Sequence, residues 1–288
     1  MSRAIILAAA VMGVAGSAFA DVYTNNFNSM PTGPIAGGVD TRAPGNGAFW
    51  LPDNAATAGD IRDGIGYLGT RGLVVGNRGN GSDGVIDNIH TPQLNDRAGE
   101  TGFGAAGITQ FNASYRFRTA STTPVSGLDF KTESWGRDRT TWLSIYEDNG
   151  NLKANYSGVT GLTNATVNFN DNIYSGTLIW GAWYRVEQSV QFIDGPSNDV
   201  VTTRLYDDSN ALLWTAIDTT WENYYRFSTE QAGNGNLVTG LDALQFQARF
   251  SPTGDTAYVD DISYSSIPAP GAGVVLGLGA LALRRRRR

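Results

Sequence analysis

Charged and amide side chains alternate with apolar ones in three segments, and this is the clearest chemical signal in the sequence. The polar positions are Arg116 and Arg118, then Arg185 and Glu187, and finally Gln245, Gln247 and Arg249. Guanidinium forks bind carboxylates and sulfates in a bidentate fashion, so neighbouring strands would form a patch that grips an acidic polysaccharide. The same pattern also fits a solvated face with cross-strand Arg–Glu pairs, each of which contributes little stability.

Two of the seven tryptophans are candidates for stacking against a sugar ring. Trp135 follows Ser134 and precedes Gly136 in a polar segment. Trp142 shares its alternation register with Ser144 and is therefore predicted to face solvent. Most tryptophans in a β-sandwich instead pack in the core or at strand edges, so both interpretations stay open for these two residues.

Catalytic constellations are scarce. The chain has no cysteine and one histidine, His90, which precedes a Thr-Pro turn far in sequence from the arginine-bearing segments. No glutamate begins the Glu-x-Asp-x-(x)-Glu pattern that would place two carboxylates on one face of a strand for glycoside hydrolysis. We therefore predict no catalytic residue and favour a non-enzymatic role.

Calcium is the only cofactor that the sequence brings into consideration. The acidic turns at 148–151 and 207–210 offer oxygen ligands. Neither matches a complete calcium-binding loop, and turn formation alone also accounts for Asp, Asn and Gly at these positions. Calcium binding is thus an expectation without assigned ligands.

The elements that must carry these side chains are β-strands. Strict period-two alternation at 113–118, 184–192 and 244–250 predicts strands with one buried and one solvated face, as in antiparallel sheets. Asn149-Gly150 between two apolar runs predicts a tight hairpin, and the turn at 207–210 predicts a second one. The sequence therefore predicts an all-β fold of antiparallel strands in one domain, residues 21–266.

The N-terminal segment, 1–20, has the features of a secretory signal peptide. A basic start is followed by an apolar core, and Ala18-Phe19-Ala20 supplies a cleavage site. Without 1–20 and 267–288, the body retains 15 basic and 27 acidic residues, a net charge of −12. This charge opposes binding to nucleic acids or anionic membranes.

The C-terminal segment, 267–288, combines a Pro-x-Pro element, an apolar run and an arginine cluster. Its residues are Pro268, Pro270, the run 271–283, and Arg284, Arg285, Arg286, Arg287 and Arg288. This tail resembles the PEP-CTERM sorting signal of exported bacterial proteins, with Ala269 in place of the glutamate. The resemblance implies an exosortase-type membrane protease as partner, transient tethering through the tail, and association with extracellular polysaccharide. The alternative is a simple tail anchor, although thirteen residues form only about 20 Å of helix.

Three further segments bear on the fold family. The strand near 22–27, the segment 183–187 with the turn at 194–199, and the closing strand 257–264 resemble the concanavalin-A-like, or LamG-like, jelly roll. The resemblance implies a two-sheet antiparallel sandwich in which the terminal strands pair, and the arginine face is loosely similar to that of alginate-lyase-like sandwiches. We thus predict an exported surface or matrix protein that binds polysaccharide. The alternatives are a lyase-like enzyme and a structural envelope protein without a ligand.

Overall fold

The computed structural model describes residues 21–35, 49, 59–77, 87–94, 108–136, 139–163, 166–193, 198–221, 241–249 and 254–268. The predicted signal peptide, Pro270 and the arginine cluster Arg284–Arg288 lie outside these residues. Within the described part, no helix is long and apolar enough to cross a membrane.

The larger of the two antiparallel sheets contains nine strands. They are β1 (Asp21–Asn25), β2 (Gly33–Pro34), β3 (Gly59–Arg62), β4 (Gly72–Asn77), β6 (Ile108–Thr119), β11 (Tyr184–Gln191), β12 (Val200–Tyr206), β13 (Leu212–Asp218) and β15 (Gly254–Pro268). Their order is β13-β12-β11-β6-β15-β4-β3-β2, and β1 also pairs with β15. A short 3-10 turn, Tyr67–Gly69, precedes β4.

The smaller sheet contains six strands. They are β5 (Asp87–His90), β7 (Asp129–Gly136), β8 (Arg139–Asp148), β9 (Asn151–Thr163), β10 (Thr166–Ile173) and β14 (Leu241–Arg249), in the order β10-β9-β8-β7-β14-β5. All pairings in both sheets are antiparallel. The predicted all-β sandwich of two antiparallel sheets is thereby confirmed.

The first and last described strands pair with each other, as the jelly-roll resemblance implies. In the register of β1 and β15, Tyr23 lies opposite Tyr264, and their rings stack with centroids 4.9 Å apart. Tyr264 is 1% exposed, and its hydroxyl donates a hydrogen bond to the carbonyl of Pro92. The pairing of the terminal strands therefore places Tyr264 in the core.

The core lies between the sheets and contains the apolar residues of the alternating segments. On β6 the buried residues include Phe111, Tyr115 and Phe117, and Tyr115 meets Phe246 of β14 edge-on at 5.3 Å. Burial of one face is what the period-two pattern requires. It leaves the intervening residues of β6 on the outer face of the nine-stranded sheet.

One polar residue in an apolar register, Gln188, joins the two sheets. It is 6% exposed, accepts a hydrogen bond from the hydroxyl of Ser134 on β7, and donates to Thr203 Oγ1 on β12 at 3.1 Å. Because a buried amide must be hydrogen-bonded to offset its lost hydration, these hydroxyls explain a glutamine at this place.

The predicted Asn-Gly hairpin joins β8 and β9. Asn149 and Gly150 have φ values of 51° and 83°, the pair of positive angles that a tight hairpin of this type requires. The second predicted hairpin joins β12 and β13, where Asn210 has φ 63°. Both turn predictions are confirmed.

Strand β14 departs from the prediction of one solvated face. Residues 241–248 are buried on both sides, including Gln245 at 4% and Gln247 at 1% exposure. The strand lies in the interior of the six-stranded sheet, between β7 and β5. Its apolar residues and its glutamines therefore point to opposite faces of the sheet, and both faces are buried here.

Candidate functional site

The four charged candidates of β6 and β11 lie together on the outer face of the nine-stranded sheet. These strands are hydrogen-bonded neighbours, and Arg185 lies directly opposite Arg116 in their register. Arg118 and Glu187 share the same face by alternation. The predicted cluster thus forms from two of its three strands, whereas β14 belongs to the other sheet.

Arg116 is held on several sides. Its Nε lies 3.3 Å from Asp261 Oδ2, Nη2 donates to Asn210 Oδ1 at 3.5 Å, and the guanidinium lies 3.9 Å from the ring centroid of Tyr67. The side chain is only 12% exposed. Stacking over an aromatic face together with a carboxylate partner fixes the orientation of the guanidinium plane.

Arg185 is fixed in a similar way. It donates to Glu187 and, through Nε, to Asn210 Oδ1 at 3.1 Å, and it lies 4.2 Å from the ring centroid of Tyr206. The Tyr206 hydroxyl donates to Glu187 Oε2 at 2.7 Å. Burial raises the pKa of Tyr206, and the hydrogen bond to Glu187 raises it further, so this hydroxyl stays a donor at neutral pH.

The segment with the 3-10 turn is attached to the same face by Asp260. Asp260 Oδ2 accepts hydrogen bonds from the Tyr67 backbone N–H at 2.8 Å and from Thr70 Oγ1 at 2.9 Å. Burial raises the pKa of this carboxyl, while the hydrogen bond from the Asp261 N–H and these two donors oppose the rise. The attachment places the Tyr67 ring against Arg116.

Arg118 occupies an aromatic environment. Its guanidinium lies 4.8 Å from the ring centroid of Tyr258 and 5.4 Å from that of Trp183. Tyr67 meets Trp183 edge-on at 5.9 Å, so rings alternate with guanidinium groups along this wall. Rings and guanidinium groups together present apolar surface beside hydrogen-bond donors.

Two polar depressions lie side by side next to this wall, and we call them together the furrow. The larger part, about 340 Å³, is lined by Thr24, Asn25, Asn26, Ser29, Asp261, Ile262 and Ser263. The other part, about 250 Å³, is lined by Asn112, Ala113, Ser114, Glu187, Gln188, Ser189, Arg204, Ser263, Tyr264 and Ser265. Ser263 borders both parts, and their strand residues belong to β1, β15, β6, β11 and β12, which are neighbours in this order in the sheet.

Two of the four arginines around the furrow have carboxylate partners. Asp261 pairs with Arg116, and Glu187 pairs with Arg185. Arg118 of the wall and Arg204 of the furrow lining have no ion pair within the described residues. The two paired guanidinium groups attract a second anion weakly but still offer N–H donors to the hydroxyls of a ligand.

The remaining candidates lie in the six-stranded sheet. The register places Gln245 between Glu133 and His90, and its Nε2 is 3.0 Å from His90 Nε2. His90 is therefore a neighbour of the glutamine pair despite its distance in sequence. With exposures of 3%, 2% and 4%, His90, Glu133 and Gln245 are closed to solvent.

Trp142 lies on the outer face of β8, as its alternation predicts, and is partly buried. Its ring meets that of Phe169 at 5.1 Å. The backbones of Trp135 and Arg249 belong to β7 and β14, but their side chains lie outside the described part of the structure.

The acidic turns use their carboxylates within the turns. Glu147 Oε1 accepts the Gly150 N–H at 2.7 Å, and Asp207 Oδ1 accepts the Ala211 N–H at 2.9 Å. Among the described residues, no group of three or more His, Asp or Glu side chains could hold a metal ion. Calcium binding stays a prediction.

No protein-family model matches the chain, and no curated protein matches it significantly. A protein of unknown function from Shewanella oneidensis MR-1 is similar in structure, with 13% identity, 88% of each chain covered and a TM-score of 0.44. Peanut lectin has 12% identity, with 88% of this chain and 100% of that chain covered and a TM-score of 0.41. An endo-β-1,4-glucuronan lyase from Trichoderma reesei has 13% identity, with 87% and 95% covered and a TM-score of 0.40. Similarities this low say nothing about a shared ligand or activity.

Several residues of the furrow were not found by sequence reasoning. Ser263 and Ser265 occupy the outward register of β15, which the alternation with Ile262 and Tyr264 displays. Alternation showed which residues of this strand face outward, but not which strands lie beside it. Tyr67 reaches the face from the 3-10 turn that precedes β4, so strand alternation does not place its ring against Arg116.

Proposed function

We propose that this protein is an exported, non-enzymatic protein of the cell surface or extracellular matrix that binds polysaccharide in the furrow. The observation that carries the proposal is the furrow itself, an open, polar depression floored by small hydroxyl and amide side chains beside aromatic rings. The predicted signal peptide and the resemblance of the tail to a sorting signal, with an exosortase-type protease as partner, support the export to the cell surface.

The shape of the furrow suits a chain ligand. It crosses five adjacent strands, which at about 4.8 Å per strand corresponds to roughly 19 Å. Serine and asparagine side chains along this path donate and accept hydrogen bonds without closing the depression. Such a path offers repeated partners to the hydroxyls of successive sugars.

The net charge of the body favours a neutral polysaccharide. Arg116 and Arg185 have carboxylate partners, and the body carries a net charge of −12. An acidic polysaccharide would meet this negative field, and among the described residues around the furrow Arg118 and Arg204 are the cations that have no carboxylate partner. Hydroxyl groups, in contrast, can bond to the arginine, serine and asparagine side chains in place of water.

A lyase-like activity is supported by one observation, the contact between His90 and Gln245. Both side chains are closed to solvent, so a glycan would need the covering residues to move before either could act on it. The binding role needs no such movement. Unsaturated products released from alginate, detected by absorbance, would contradict the non-enzymatic proposal.

The test is retention of the full-length chain in affinity electrophoresis, with hydroxyethyl cellulose as the neutral glycan and alginate as the acidic one. Ser114→Tyr fills the furrow from a solvent-facing strand position and should abolish retention at this site. Ser263→Tyr is a second filling variant, and the control is Ile217→Tyr, an exposed position on the edge strand β13, which contributes no residue to the furrow. Unchanged retention in both filling variants, with unfolding temperatures like that of the parent chain, would overturn the proposal.

A further inference from the structure

A second aromatic surface lies on the opposite side of the sandwich, at the β8–β10 end of the six-stranded sheet. The rings of Trp142 and Phe169 have centroids 5.1 Å apart at an interplanar angle of 38°. Their strands are separated by β9, which puts the backbones about 10 Å apart, so the two rings approach each other above β9. Phe169 is 45% exposed.

Polar groups adjoin this aromatic pair in an ordered arrangement. In the sheet register, Ser157 lies opposite both Trp142 and Asp171. Asn155 Nδ2 donates to Asp171 Oδ1 at 2.8 Å and to Ser157 Oγ at 3.1 Å, while Ser157 Oγ donates to the same carboxylate oxygen at 2.7 Å. These bonds fix the orientation of the Asn155 amide.

The same bonds hold the carboxylate of Asp171, which is exposed to solvent. Asn155 and Ser157 both donate to its Oδ1, and a carboxylate has about four acceptor positions on its two oxygens, so it can accept a further donor from outside. Phe169 precedes Asp171 by two residues on β10, and by alternation the two side chains share one face of the sheet.

We propose that the Trp142–Phe169 surface is a second glycan site, specific for a neutral sugar ring. The apolar C–H face of the sugar stacks on the exposed Phe169 ring, and a ring hydroxyl donates a hydrogen bond to the exposed Asp171 carboxylate. The same carboxylate repels a uronate. Packing of Trp142 alone would account for a buried ring but not for an exposed phenylalanine beside an oriented, exposed carboxylate.

Two sites on opposite faces have a consequence for the whole protein. The furrow and the Trp142–Phe169 surface lie on the outer faces of two sheets that stack back to back, and such faces point away from each other. One protein then connects two polysaccharide chains. This bridging rests on the proposed function of the furrow, whereas the second site stands by itself.

The experiment removes each site in turn. In affinity electrophoresis with hydroxyethyl cellulose, the full-length Ser114→Tyr chain should keep a residual retention. Adding Phe169→Ala should weaken this residual association roughly tenfold or more. Adding Ile217→Ala instead, which changes an exposed position on β13 of the nine-stranded sheet that contributes to neither site, should leave it unchanged.

The outcomes separate the two proposals. If Ser114→Tyr alone abolishes retention, or if Phe169→Ala leaves the residual retention intact, the second site is overturned. If Ser114→Tyr changes nothing while Phe169→Ala abolishes retention, the second site stands and the furrow fails.

Bridging has its own readout, the light scattering of dissolved hydroxyethyl cellulose. The parent chain should raise the scattering by connecting polymer chains. Each single-site variant should be retained in the gel yet fail to raise the scattering. A rise that persists in either variant would overturn the bridging role.

Discussion

At the residue scale, the positions of the arginines matter less than their partners. Arg116 and Arg185 share the amide of Asn210, and each also has a carboxylate and a tyrosine ring. Partners of this kind hold a guanidinium still and neutralise much of its charge. The arginines thus form a rigid wall that offers hydrogen-bond donors in fixed directions.

A carboxylate in a turn gives the pH prediction at this scale. Hydrogen bonds from the Gly150 and Gly127 N–H groups lower the pKa of Glu147 below its ordinary 4.5. Because the folded pKa is depressed, the stabilisation is present above the unfolded value and is lost as pH falls through the folded value. Glu147→Gln should therefore lower the urea midpoint more at pH 7 than at pH 3.

The control for that prediction is Asp148→Asn, an exposed neighbour whose carboxylate accepts no backbone N–H in the described structure. An equal loss of stability in Glu147→Gln at both pH values would show that the ionised carboxylate is not what stabilises the turn.

At the scale of elements, the relation between the sheets depends on hydrogen bonds as well as apolar packing. Tyr115 of β6 bonds to Thr132 of β7, and Gln188 of β11 bonds to Ser134 of the same strand. Both bonds are buried and cross from one sheet to the other. They define how β6 and β11 lie over β7, and hence which side chains face outward in the furrow.

Gln188→Leu tests these hydrogen bonds between the two sheets. The substitution keeps the side-chain volume similar but removes the amide partner of Ser134 and Thr203, so the free energy of unfolding should fall by about 1–3 kcal/mol. Urea denaturation measures the change. Gln191→Leu, at the exposed end of the same strand, should leave the free energy of unfolding nearly unchanged. A similar decrease in both variants would contradict a specific role of the hydrogen bonds between the sheets.

At the scale of the whole molecule, the net charge of −12 in residues 21–266 acts against acidic polysaccharides. Screening by salt shortens the range of this repulsion, with a Debye length of about 10 Å at 0.1 M and about 3 Å at 1 M. Any retention on alginate should therefore rise with added salt, whereas retention on hydroxyethyl cellulose should hardly change.

Affinity electrophoresis at three salt concentrations measures both effects, and Ile217→Tyr is again the control variant. Alginate retention that is strong at low salt and disappears at high salt would show that arginines without carboxylate partners, such as Arg204, bind the glycan, contrary to the proposed preference for a neutral polysaccharide.

The sequence by itself determined the positions of the alternating strands and, for two of them, the buried face. Alternation at 113–118 and 184–192 predicted β6 and β11 with the correct outward residues, because burial of one face is a local property with a period of two. Asn149-Gly150 predicted its hairpin, because only certain residues accept the required positive φ. The charge of the body also follows from composition alone.

Only the tertiary structure decided which strands are neighbours. Alternation carries no information on sheet order, so β14 fell into the opposite sheet, and its glutamines became buried beside His90. The charge pairing of Arg116 and the approach of Phe169 to Trp142 likewise join residues far apart in sequence. Long-range pairing arises from the packing of the whole chain, and for that reason both proposed glycan sites were visible only in the folded molecule.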